Sequence, residues 1–80
     1  MEKSEISNRV ENTIKAILKI DGEIAPNANF IFDLGADSLQ SFELVAALEE
    51  EFNVEMDQDQ ALKAQTVSEA VDCISSYVNK

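Results

Sequence analysis

The sequence predicts an all-α fold, a small four-helix bundle built from three main helices and one short helix. Three segments repeat apolar residues at the three-to-four-residue spacing of an amphipathic helix. Two of these segments begin with a capping-box pattern, in which an N-cap residue stands three positions before Gln or Glu. Both glycines and the one proline fall between the first and second helices, which predicts one long loop there.

The first predicted helix runs from about Glu5 to Lys19, and Ser4 is its expected N-cap. Glu5 near its start and Lys15 and Lys19 near its end match the helix dipole. Its apolar residues share one face and are predicted to enter the core: Ile6, Val10, Ile14, Ile17 and Leu18.

The loop from Ile20 to Leu34 is predicted to be ordered, because it is rich in apolar residues that would cover the core. These residues are Ile24, Phe30, Ile31, Phe32 and Leu34. If the backbone is extended at the aromatic run, Phe30 and Phe32 share one side and Ile31 takes the other.

The second predicted helix runs from about Ser38 to Phe52, and Asp37 and Gln40 form its capping box. Gly35, which tolerates positive φ, precedes it in the loop. Ser38 then lies in the first helical turn, where its hydroxyl is expected to face water. A phosphodiester on that hydroxyl would lie beside backbone N–H groups and the positive end of the helix dipole. The pattern therefore suits a serine that carries such a group.

This second helix has two apolar faces. The predicted core face consists of Leu44, Val45, Leu48 and Phe52. Apolar residues on the opposite face, next to glutamates, are typical of a docking surface. We predict partner recognition by Asp37, Leu39, Gln40, Phe42, Glu43, Ala46, Glu49 and Glu50. The alternatives are that Leu39 and Phe42 pack under the loop and that the glutamates form an ordinary solvated face.

A short third helix is predicted at about Gln58 to Lys63, in a connector whose inward residues are Met56 and Ala61. The last helix follows the Thr66–Glu69 capping box and runs to about Tyr77. Its core stripe is Val67, Ala70, Val71, Ile74 and Val78. Cys73 lies at the margin of that stripe and is predicted to act as a small apolar residue.

Composition limits the function further. The 80 residues predict a single domain spanning residues 1–80 with a small core. A net charge of −10 argues against nucleic-acid binding and favours partners with basic docking surfaces. The chain has no histidine and no constellation of nucleophile and base, so neither catalytic nor metal-binding residues are predicted. It has one cysteine and no apolar run long enough for a signal peptide or membrane span, so a cytoplasmic location is expected.

The start of the second helix also resembles a known family. The segment Gly35-Ala36-Asp37-Ser38-Leu39, continuing to Glu43-Leu44-Val45 and to Ala47 through Phe52, resembles acyl carrier proteins of the free-standing bacterial type. The resemblance extends from about Ile6 to Ile74. It implies that Ser38 bears a 4′-phosphopantetheine arm from coenzyme A, whose thiol carries acyl groups as thioesters. The chain would then be a carrier rather than an enzyme, in fatty-acid or related lipid or polyketide biosynthesis.

The resemblance implies partners and a cargo site as well. The partners would be a phosphopantetheinyl transferase and acyl-processing enzymes. From the charge and the lack of a long apolar run, no nucleic acid or membrane partner is expected, and the chain is expected to be a monomer. The acyl chain would enter the bundle between residues Phe30, Leu44, Val45, Leu48, Met56, Ala61, Ala64 and Ala70.

The sequence departs from the family pattern at several positions, and these leave the pathway and the specific partners open. The departures are Phe32, Gln40, Phe42, Ala46 and Asp57. The alternative functions are a peptidyl or aminoacyl carrier and an unmodified acidic helical adaptor.

Overall fold

The computed structural model describes residues 2–79, which contain four α-helices and no strand. The helices are α1 (Lys3–Leu18), α2 (Ser38–Phe52), α3 (Gln58–Lys63) and α4 (Val67–Val78). The predicted all-α architecture of three main helices and one short helix is confirmed. None of the helices in this part of the chain is long and apolar enough to cross a membrane.

A single hydrophobic core lies where α1 packs against both α2 and α4. The predicted inner faces supply most of it: Ile6, Val10, Ile14, Leu44, Val45, Leu48, Phe52, Val67, Ala70, Val71 and Ile74 are all buried. Burying these side chains is the main favourable contribution to folding in so small a domain.

The capping boxes of α2 and α4 are both formed, as predicted. The Asp37 carboxylate accepts a hydrogen bond from the Gln40 N–H at 2.8 Å, and the Gln40 side chain accepts one from the Asp37 N–H at 3.3 Å. At α4, the Thr66 hydroxyl accepts from the Glu69 N–H at 3.2 Å, and Glu69 Oε2 accepts from the Thr66 N–H at 3.1 Å. These local bonds fix where each helix begins.

The predicted start of α1 was wrong. The N-cap is Glu2, which makes no capping hydrogen bond with its side chain, and Ser4 lies inside the helix. The Ile6 N–H donates to the Glu2 carbonyl at 3.0 Å, so the first helical turn closes before Ser4 could cap it.

The loop between α1 and α2 is ordered by backbone hydrogen bonds to the start of α4. The Phe30 N–H donates to the Gln65 carbonyl at 3.0 Å, and the Val67 N–H donates to the Ala28 carbonyl at 3.1 Å. Asn29 and Thr66 form an isolated antiparallel β-bridge between these bonds. The loop thereby covers the core with the buried side chains of Ile24, Ala28 and Phe30.

The aromatic run is not extended, so the alternation expected for an extended backbone does not occur. Phe30 is 8% exposed, whereas Ile31 is 58% exposed and Phe32 is 88% exposed. The Asn29 side-chain carbonyl accepts hydrogen bonds from the N–H groups of Ile31 and Phe32, at 2.9 and 3.0 Å. Asp33 Oδ2 in turn accepts from the Asn29 N–H at 2.7 Å. The backbone therefore turns after Phe30 instead of staying extended, and we call residues 29–33 the Asn29 turn.

Candidate functional site

Ser38 is the first residue of α2, and its side chain is exposed at the end of the loop. Two preceding residues fix the backbone conformation that leads to Ser38. Gly35 takes a φ of 74°, a left-handed conformation that glycine adopts without strain. The buried Ala36 donates its N–H to the Phe30 carbonyl at 2.8 Å. The hydroxyl is therefore presented to solvent from a well-anchored backbone.

This end of α2 is suited to a group that carries a phosphate. The N–H groups of the first helical turn point toward the N-terminus, where the helix dipole is positive. The Asp37 carboxylate accepts a hydrogen bond from the Gln40 N–H and so caps the helix, while Ser38 stays exposed. An exposed hydroxyl beside a helix N-terminus fits the phosphodiester of a phosphopantetheine arm.

The outer face of α2 is open to solvent. Leu39 is 66% exposed and Phe42 is 46% exposed, so neither packs under the loop. Ala46 is also exposed, and the exposed carboxylates of Glu43 and Glu50 belong to the same helix. An apolar strip with acidic neighbours is therefore available for contact with another molecule.

The other residues predicted for recognition also serve the fold. Asp37 and Gln40 form the capping box of α2. Glu49 Oε2 accepts a hydrogen bond from the Met56 N–H at 3.0 Å, which holds the connector that follows α2. The sequence predicted the capping box but not the bond from the Met56 N–H to Glu49.

A cavity of about 210 Å³ lies between the loop, α2, α3 and α4. It is lined by all eight residues predicted for the cargo site: Phe30, Leu44, Val45, Leu48, Met56, Ala61, Ala64 and Ala70. The sequence did not predict the remaining lining residues, which are Asn29, Ile31, Phe32, Ser41, Leu62, Gln65, Cys73 and Ile74. An Asn side chain can accept backbone N–H groups two residues on, so Asn29 was a signal for a turn, although it did not indicate the directions of Ile31 and Phe32.

The cavity is large enough for an alkyl chain. Apolar cavities of about 150 Å³ in other proteins stay dry and bind benzene, so this larger one has room for a chain of medium length. The Cys73 thiol lines it, and partial burial raises the pKa of that thiol above its ordinary value. The wall is therefore apolar and uncharged at neutral pH on the Cys73 side.

The short helix α3 closes one side of this cavity and is held mainly at its start. The Asp57 carboxylate caps it by accepting from the N–H groups of Asp59 and Gln60. The Asp57 N–H donates to the Tyr77 hydroxyl at 3.1 Å, which ties the helix to α4. Within residues 2–79, no group of three or more Asp, Glu or Cys side chains is arranged to hold a metal ion.

Known proteins are similar to this chain in sequence over most of its length. The family described as "Phosphopantetheine attachment site" matches residues 8–74. "Acyl carrier protein 2, mitochondrial" from Arabidopsis thaliana is 46% identical over 78 residues, which cover 96% of this chain and 62% of that protein. "Acyl carrier protein" from Thermosynechococcus vestitus is 44% identical over 79 residues, which cover 98% of each chain.

A solved structure shows the same similarity in three dimensions. A putative acyl carrier protein from Mycobacterium tuberculosis superimposes with a TM-score of 0.84 and 31% sequence identity. The alignment covers 89% of this chain and 96% of that one.

Proposed function

This chain belongs to the acyl carrier protein family, and on that basis we propose that Ser38 bears its 4′-phosphopantetheine arm. Members of the family are carriers of acyl groups in biosynthesis of the fatty-acid type, and they are not catalysts. The observation that supports the assignment is the exposure of Ser38 as the first residue of α2, immediately after a formed capping box.

The residues around Ser38 favour an attached phosphate. The arm, when bound, supplies a terminal thiol that holds acyl groups as thioesters. The chain contributes the Ser38 oxygen, and the N-terminal dipole of α2 stabilises negative charge near it.

A separate transferase is needed to modify Ser38. The carboxylate of Asp37, the residue before Ser38, accepts from the Gln40 N–H and serves as the helix cap. A serine hydroxyl needs an adjacent base to become a nucleophile, and the partner enzyme would supply that base. We therefore propose that a phosphopantetheinyl transferase acts on this chain with coenzyme A as the donor.

The outer face of α2 is the proposed contact surface for this transferase and for acyl-processing enzymes. Leu39, Phe42 and Ala46 would form the apolar centre, and Glu43 and Glu50 would face lysine and arginine on the partner. The net charge of −10 would accelerate encounters with basic surfaces and make them sensitive to salt.

The cavity is the proposed shelter for the acyl chain. Transfer of the chain from water would contribute about 0.8 kcal/mol per buried CH₂. The arm would reach the cavity from Ser38 past the exposed side of the loop. Ala61, Ala64 and Ala70 keep this space open, since larger side chains at these positions would occupy it.

We also propose that the protein acts as a cytoplasmic monomer, because strong like charge disfavours association between copies. Fatty-acid, lipid and polyketide pathways all remain consistent with the site. A peptidyl or aminoacyl carrier is less well supported, since the relatives named above are acyl carrier proteins.

Intact-protein mass spectrometry tests the attachment site. After incubation with coenzyme A and a phosphopantetheinyl transferase, the unmodified protein should gain the mass of one phosphopantetheinyl group. Ser38→Ala should gain nothing. Ser41→Ala is the matched control, since Ser41 lies in the same helix and its hydroxyl donates to the Asp37 carbonyl. Modification of Ser38→Ala, or no modification of the wild type by several competent transferases, would contradict the proposal.

A further inference from the structure

The Asn29 turn holds the ring of Phe32, a residue that also lines the cavity, largely in water. Phe30 already fills the core, and the backbone then turns so that Phe32 is 88% exposed. Three hydrogen bonds that involve side chains fix this turn, two to the Asn29 side chain and one to the Asp33 carboxylate, and the Asp33 N–H also donates to the Asn29 carbonyl. A large apolar side chain that is exposed on a preorganised backbone loses little entropy on binding and gains from leaving water.

The turn lies close enough to Ser38 to share one interface with it. The hydrogen bond from the Ala36 N–H to the Phe30 carbonyl, at 2.8 Å, brings the two ends of the intervening loop together. Phe32 and Ser38 are also only six residues apart in the chain, which limits the distance between their Cα atoms to no more than about 22 Å. A standard protein interface covers about 800 Å² per partner and is about 30 Å across, so one enzyme can cover both residues.

The charges around this region suit an enzyme that binds coenzyme A. An enzyme that attaches the arm must bring the phosphates of coenzyme A to Ser38, so its facing surface carries lysine and arginine. Asp33 ends the Asn29 turn, and Asp37 precedes Ser38; both carboxylates are on exposed residues. These carboxylates would complement a basic rim, and the exposed ring of Phe32 would complement an apolar surface inside that rim.

We propose that Phe32, supported by Ile31, is a docking residue for the phosphopantetheinyl transferase and inserts into an apolar pocket beside the coenzyme A site. This inference rests on the proposed function, because it assumes that Ser38 is modified. It goes beyond that function by assigning recognition to the loop in addition to α2.

Steady-state kinetics of the transferase on the unmodified chain test this role. Initial rates are measured by mass spectrometry with saturating coenzyme A and increasing concentrations of wild type, Phe32→Ala and Phe32→Leu. Phe32→Ala is expected to raise KM for the carrier at least about fivefold, the effect typical of an interface residue that matters, with little change in kcat. Phe32→Leu keeps an apolar side chain and should recover most of the loss.

The outcomes separate this inference from the proposed function. If the wild type is modified at Ser38 and Phe32→Ala has the wild-type KM, the docking role is wrong and the carrier function stands. If no transferase modifies the wild type, the proposed function fails first. A wild-type dimer that Phe32→Ala dissociates, seen by analytical ultracentrifugation, would make Phe32 a contact between copies and would overturn the inference. Loss of helicity in Phe32→Ala would also overturn it, because an exposed ring should not support the fold.

Discussion

Arg9 of α1 holds Glu51 of α2 through two hydrogen bonds from its guanidinium group. Arg9 Nε donates to Glu51 Oε2 at 2.7 Å, and Arg9 Nη2 donates to the Glu51 backbone carbonyl at 2.6 Å. The guanidinium carbon lies 4.7 Å from the centre of the Phe52 ring, within the range of a cation–π contact. The Arg9 side chain therefore contacts both the Glu51 carboxylate and the Phe52 ring at the C-terminal end of α2.

Replacing Arg9 should weaken the packing of α1 on α2. We expect Arg9→Ala to lower the free energy of unfolding by about 1 kcal/mol, measured by urea denaturation. Arg9→Lys should recover only part of this, since an ammonium group cannot reproduce both guanidinium bonds. Lys3→Ala is the control, because the Lys3–Asp72 pair is more exposed and should contribute less. Equal losses in the free energy of unfolding for Arg9→Ala and Lys3→Ala would show that the two guanidinium hydrogen bonds of Arg9 add no stability beyond that of an exposed ion pair.

Changes on the outer face of α2 should weaken partner turnover without unfolding the helix. Phe42→Ala removes apolar contact area, and Glu43→Lys reverses a charge that would face a basic partner. Each is expected to lower the kcat/KM of the transferase or of an acyl-processing enzyme at least about fivefold, with unchanged circular dichroism. Glu23→Lys makes the same charge change on the exposed loop and should have a smaller effect. Unchanged kinetics at low salt for both variants on α2 would count against this surface.

Filling the cavity should remove the stabilisation that an acyl chain provides. Loading the wild type with an octanoyl chain should raise its melting temperature, because the chain buries apolar surface. Ala70→Leu places extra methyl groups in the cavity and should reduce that increase. Ala46→Leu is the matched control, since Ala46 is exposed on α2. The same increase on acylation in all three proteins would mean that the chain does not enter the cavity.

The single thiol should respond to pH in a defined direction. Partial burial raises the pKa of the Cys73 thiol above its ordinary value of 9.0, so alkylation should be slower in the folded protein than in urea. As the pH rises, the unfolded chain loses this proton first. The contribution of Cys73 to stability is thus complete below pH 9.0 and decreases above it. A Cys73→Ala variant should show a shallower loss of stability on the alkaline side, and an identical pH profile would contradict this.

Elements that depend on local chemistry could be predicted from the sequence. The start of α2 follows from the capping box of Asp37 and Gln40, since both partners lie within one helical turn. The apolar period correctly placed Leu44 and Ala70 on inward helix faces, whereas their role in a cargo site was implied by the family resemblance.

Features that depend on side chains acting on a distant or unusual backbone could not be predicted. The direction of Phe32 depends on one carbonyl oxygen of Asn29 that accepts two N–H groups, and the periodicity of apolar residues carries no information on this. The contact between Arg9 and Glu51 joins two helices and requires the packing to be known first. Likewise, the bond from the Met56 N–H to Glu49 gives a surface glutamate a role within the fold.

The β-bridge between Asn29 and Thr66 has a consequence for the order of folding. It ties the segment that leads to Ser38 to residues just before α4, far along the chain, so it forms only after that later part has been made and docked. Helices need only near neighbours and assemble early, whereas pairings between distant segments are slow. In a nascent or C-terminally truncated chain, we therefore expect the loop before Ser38 to lack its native conformation. The transferase should then modify completed chains faster than incomplete ones.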